Sequence, residues 1–126
     1  MAHLSLKKYQ QTTVSNAGEA SPYRLVALLF QKLLDNIATA KGAISQNDYA
    51  KKGEQISNAI AIVGVLEGSL DHEQDGDISA NLSALYNFCS EKLFEANINN
   101  DTELLNEVAQ IIIPIKSGWD SIPLAE

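Results

Sequence analysis

The sequence predicts an all-α protein: an antiparallel up-down four-helix bundle with a loosely docked N-terminal arm. Apolar residues recur at steps of three and four in four long blocks, the spacing of helices with one buried face. Strictly alternating runs, the mark of half-buried strands, are scarce. Short polar breaks separate the blocks, so each helix can turn back alongside its predecessor. With 126 residues, 45% of them apolar and 20% charged, the chain has enough core for one domain without disulfides or metals. Residues 1–20 are expected to form the arm and its linker, and residues 21–126 the bundle.

In the arm, Leu4, Leu6 and Tyr9 supply only a small apolar face, followed by the linker-like Ser15-Asn16-Ala17-Gly18-Glu19. The first long helix opens at Ser21-Pro22. Ser21 has the side chain of an N-cap, and proline at the first helical position sacrifices no hydrogen bond. Val26, Phe30, Leu33, Ile37, Ala40 and Ile44 then fall on one face.

A Gln46-Asn47 break and an Asp48 cap introduce the second helix, with Ile56, Ile60, Val63 and Leu70 on its stripe. Ala59, Ala61, Ile62, Val65 and Leu66 make it apolar nearly all round between Ile60 and Leu66, so it is either central or waiting for a partner. The third helix is expected from about Ile78 to Ile98, with Leu82, Leu85, Cys89, Leu93 and Ala96 in register. It follows an acidic loop in which Gly76 supplies a positive φ and Asp77 or Ser79 a cap. The fourth starts at an Asp101 cap with Glu103 close behind, and carries Leu104, Val108, Ile111, Ile115, Trp119 and Ile122 on one side. Pro114 removes one of its backbone bonds and crowds the Gln110 carbonyl, so a kink or local break is expected there.

Charge narrows the function. Nine Lys plus Arg against sixteen Asp plus Glu give a net charge of −7, and Arg24 is the sole arginine. A phosphate backbone would be repelled, so nucleic acid is not an expected partner. Neither a polybasic cluster nor an apolar run of about 18 residues is present, so stable membrane insertion is not expected. The first residues lack the apolar core and cleavage site of a signal peptide, and Cys89 has no second cysteine to pair with, so the expected compartment is the cytoplasm.

Chemistry is sparse. On the calcium-loop template Asp71, Glu73, Asp75 and Gly76 fall at positions 1, 3, 5 and 6, but position 12 is Leu82 instead of the bidentate glutamate. A calcium-responsive bundle built on the Asp71 to Asp77 loop is therefore an alternative, set against a plain acidic turn. A di-iron bundle needs paired Glu-x-x-His motifs, and only His3 and His72 exist. Cys89 lies on the Leu85 to Leu93 stripe and reads as a small buried hydrophobe. No phosphate-cradling glycine loop occurs. No cofactor, metal site or enzymatic activity is expected.

What stands out is apolar surplus: Ile62, Val65 and Leu66 in the second helix, and Ile112 and Ile113 beside Pro114. These residues thicken the core beneath the arm, or they form a groove that accepts an amphipathic helix from another protein. Alternatively, two copies bury their surplus faces in a homodimer, a self-associating structural bundle.

The ordered set Ala20-Ser21-Pro22, Leu25, Leu28-Leu29-Phe30, Asp48-Tyr49, Lys52-Gly53, Ala59-Ile60-Ala61-Ile62, Gly68-Ser69-Leu70-Asp71, Asn81-Leu82, Leu85-Tyr86, Leu93, Ala96-Asn97 and Trp119 resembles the flagellin-specific export chaperone family, FliS, along essentially the whole chain. Gln31-Lys32 and the Asp75-Gly76-Asp77 turn depart from the family pattern. The resemblance implies a cytosolic chaperone of flagellar type III export, without enzymatic activity. Such a chaperone binds the disordered C-terminal segment of flagellin, prevents its premature polymerisation and delivers it to the export gate. It also implies that Tyr9 lies over the apolar groove as a gate. To Tyr9 the surplus adds Ile62, Val65, Leu66, Tyr86, Ile112 and Ile113 as partner-binding candidates, and Ile62→Asp is expected to weaken capture while leaving helicity intact.

Overall fold

A computed structural model of the chain describes residues 21–74 and 76–123. The arm, with His3, Leu4, Leu6 and Tyr9, and also Asp75, lies outside the described residues. The described chain forms four helices: α1, Pro22–Ser45; α2, Tyr49–Gly68; α3, Gly76–Asn99; and α4, Thr102–Asp120. Packing of α1 on α2, α2 on α3, α3 on α4 and α4 on α1 closes them into a ring, the all-α four-helix bundle expected from the sequence.

Three of the helix starts are fixed by the anticipated side chains. Ser21 Oγ accepts from Arg24 N at 3.2 Å, and Asp48 Oδ1 accepts from Lys51 N at 3.1 Å. Asp101 Oδ1 accepts from Glu103 N at 2.9 Å and from Leu104 N at 3.3 Å. Each satisfies amide groups that the first helical turn leaves without a partner.

The α1–α2 and α3–α4 joints share one design. Asn47 and Asn100 have φ of 58° and 52°, the left-handed conformation that asparagine tolerates better than other non-glycine residues. The following Asp48 and Asp101 donate their N–H groups back to Ala43 O at 2.8 Å and Ala96 O at 3.1 Å, then cap the next helix with their carboxylates.

Phe30, Leu33, Ile56, Ile62, Leu66, Leu93, Leu105 and Ile112 fill the core. Several details differ from the sequence reading. Helix α3 begins two residues earlier than expected, at Gly76, which adopts a helical backbone instead of a positive φ. Neither Asp77 nor Ser79 caps it; Ser79 is buried and donates its hydroxyl to Asp71 O at 3.0 Å.

The buried stripe of α3 passes through Tyr86 while Leu85 is exposed. On α4 the centre of the stripe is Leu105, Val108 and Ile112, so Leu104, Ile111, Ile115 and Trp119 flank it and Ile122 lies exposed beyond the helix end. Pro114 does not break α4, which runs continuously from Thr102 to Asp120. Pro114 and Gln110 are both exposed, so water can satisfy the carbonyl that the proline leaves free.

Candidate functional site

The ring is open at one end. There the first turns of α1 and α3 meet the last turns of α2 and α4 around a cleft of about 650 Å³. That volume falls within the range of clefts that enclose a ligand or several large side chains. The joint at this end is the longer α2–α3 loop, whereas the two tight Asn-Asp turns lie at the opposite end.

The cleft has a floor, walls and a mouth. Val26, Phe30, Leu66 and Tyr86 form the floor and are buried. Tyr23, Leu70, Leu82, Ile115 and Trp119 make half-buried walls. Ile78, 63% exposed, and Ile122, 47% exposed, stand at the mouth.

One wall is a reciprocal clasp between α1 and α4. Tyr23 donates its hydroxyl to Trp119 O at 2.6 Å and to Ile122 O at 3.2 Å, while Trp119 Nε1 donates to Tyr23 O at 3.0 Å. The two rings stack at 5.2 Å and 17°, and Phe30 meets the indole at 6.5 Å in a tilted contact. Trp119 O, which also accepts from Ile122 N at 3.1 Å in the turn that closes α4, and Ile122 O thereby gain a donor from α1.

The serine hydroxyls of the cleft and one Asp71 carboxylate oxygen are also occupied. Ser69 Oγ donates to Leu66 O at 2.8 Å, and Ser79 Oγ to Asp71 O. Asp71 Oδ1 accepts from the backbone N–H of Glu73 at 3.1 Å and of Gln74 at 3.2 Å, so this carboxylate closes its own turn. Among the described residues no three His, Cys, Asp or Glu side chains converge where a metal ion could be held. His72 is exposed on the same loop.

The sequence-derived candidates separate. Leu66 and Tyr86 meet in the cleft floor. Ile62, Val65 and Ile112 are core residues that line no part of it, so of the α2 surplus Ile62 and Val65 are packing within the bundle. Ile113 is exposed but does not line the cleft. Tyr9 lies outside the described residues.

Sequence reasoning missed Tyr23 as a site residue, and read Trp119 as part of a stripe and of the family resemblance but not as a site residue. An antiparallel ring places the start of the first helix beside the end of the last, and an aromatic residue at each end was the available signal. Cys89 is fully buried, and burial pushes its thiol up to about 11, so it is an unreactive hydrophobe. Burial, with a smaller contribution from Cys89 one turn away, pushes the Tyr86 hydroxyl up to about 12.

Comparison with known proteins adds to this geometry. The family model described as flagellar protein FliS matches residues 5–126. The flagellar secretion chaperone FliSB of Pseudomonas aeruginosa is 41% identical over 119 residues, 94% of each chain. The flagellar secretion chaperones FliS of Vibrio cholerae and Salmonella typhimurium are 37% and 35% identical, covering 94% and 93% of this chain and 88% of each relative. No described helix is long and apolar enough to cross a membrane.

Proposed function

Because the chain belongs to the FliS family, a family of flagellar secretion chaperones and not of enzymes, we propose that it captures the C-terminal segment of flagellin in the cytosol. It prevents that segment from polymerising and delivers it to the flagellar export gate. The observation that carries this reading is the open apolar cleft, whose floor of Phe30, Leu66 and Tyr86 is a continuation of the core. A segment that orders on binding must offset the loss of its own conformational freedom, and does so by burying several anchors in a preformed apolar surface. Outside the cleft, Leu85, Phe88, Phe94 and Ile98 remain exposed along α3 and extend the apolar surface over which such a segment could run.

In this reading Leu66 and Tyr86 meet the client's anchors, and Tyr9 gates access to them. Ile62, Val65 and Ile112 hold the floor rigid. Calorimetric titration with a peptide of about 40 flagellin C-terminal residues, some 60 Å if fully helical, tests the reading. One-to-one binding with a large negative heat-capacity change is expected, because that change reports apolar burial coupled to ordering. A folded protein that gives no heat with this peptide at several temperatures overturns it.

A further inference from the structure

The rim of the cleft carries a one-sided charge. From residue 53 to residue 91 the chain contains seven carboxylates and neither Lys nor Arg, a charge equal to the −7 of the whole protein. Three of these acids, Asp71, Glu73 and Asp77, are exposed on or beside the α2–α3 loop, and Asp71 itself lines the cleft. On α4, outside the cleft lining, Lys116 is paired with Asp120. The Ser69 and Ser79 hydroxyls and the turn-closing carboxylate oxygen of Asp71 are satisfied from within. What the site leaves unmatched is an apolar surface and, along one edge, negative charge.

We propose that the cleft docks an amphipathic segment of the client whose large apolar anchors are flanked by Lys or Arg, with the basic flank lying along the α2–α3 loop. The proposal rests on the chaperone reading and adds the chemistry by which the client is selected. A second copy of this chain fits poorly, because a symmetric contact through the cleft would set the two acidic loops against each other. A basic flank gains attraction in both approach and docking, and an acidic flank is repelled.

The chain has one tryptophan, and Trp119 is a wall of the cleft, so its fluorescence reports occupancy at the site itself. The probes are two synthetic amphipathic helical peptides with the same apolar face, flanked in one by Lys and in the other by Glu. With the full chain at low salt, the Lys peptide is expected to shift Trp119 emission and to bind at least about tenfold more tightly than the Glu peptide. The gap should close near 1 M salt, where the screening length falls to about 3 Å. Combined Asp71→Asn, Glu73→Gln and Asp77→Asn substitution should weaken the Lys peptide about five- to tenfold, as expected for three exposed charge pairs. Asparagine at 71 keeps an oxygen to close the turn, and unchanged helicity and melting would show the fold intact.

Equal affinities for the two peptides at low salt, or binding of the Lys peptide unaffected by the triple substitution, overturns the proposal. It also falls if neither peptide moves Trp119 emission, the result expected if residues 1–20 or a second copy fill the cleft. Flagellin binding by calorimetry without charge discrimination refutes this inference and leaves the chaperone reading standing. Charge discrimination without flagellin binding refutes that reading while the preference of the cleft stands.

Discussion

Tyr86 and Cys89 sit one turn apart on the buried face of α3, and both are held in their protonated forms. Their folded values of about 12 and about 11 exceed the ordinary 10.0 and 9.0, so above pH 9 the unfolded chain releases protons that the folded chain retains. Stability from these two groups is therefore complete below about pH 9 and is lost as pH rises toward 11 and 12. Urea denaturation from pH 7 to 11 should show the decline beginning near 9, and Cys89→Ala should make it shallower. A thiol reagent should modify Cys89 quickly only in denaturant. Asn36 makes the opposite case: it is 3% exposed, and its Nδ2 has no acceptor. Asn36→Leu should raise stability by about 1 kcal/mol, read from urea denaturation, because it removes an uncompensated buried donor. Sequence alone showed the inert cysteine, whose neighbours at four-residue steps, Leu85 and Leu93, are both apolar. It did not reveal Asn36, since a polar residue on a helix flank turns inward or outward according to the neighbour it meets.

Helix boundaries were the most legible elements, because Ser21, Asp48 and Asp101 act through amides two or three residues away and need no tertiary context. Asp101→Ala should cost about 1 kcal/mol in urea denaturation, more than a loss at an ordinary surface site, because two amides lose their acceptor. Helix rotation was harder to read. From Leu82, a step of three reaches Leu85 and a step of four reaches Tyr86, and both residues are apolar; only the packing of α3 between α2 and α4 selects Tyr86. On α4, the adjacent apolar pairs Leu104-Leu105 and Ile111-Ile112 create the same ambiguity. The continuous passage through Pro114 shows that one missing bond on a solvent face is tolerated when Val108 and Ile112 anchor the turn before it. Pro114→Ala restores the missing donor and should stabilise the protein by about 1 to 3 kcal/mol, measurable as a higher urea midpoint.

In the whole molecule, the bundle could be read from the chain but the cleft could not. Its key clasp joins residues 96 positions apart, and no local pattern encodes that meeting. The surplus on α2 pointed toward a groove, yet ring closure buries Ile62 to 2% exposure. Ile62→Asp would place an unpaired carboxylate in the core, so circular dichroism should show helicity lost, at a cost of about 4 kcal/mol or more, in place of the selective binding defect expected from sequence. Tyr23→Phe retains the ring stack but deletes the donor to Trp119 O and Ile122 O. It should cost about 1 kcal/mol and alter the near-ultraviolet signal of Trp119, while far-ultraviolet helicity stays unchanged. The clasp also bears on how the chain can be re-engineered. Pro22 and Ile122 border the same cleft, so the chain enters α1 and leaves α4 beside it. A chain opened by circular permutation at the exposed Asn47 turn would carry its new termini at the opposite pole, away from the cleft.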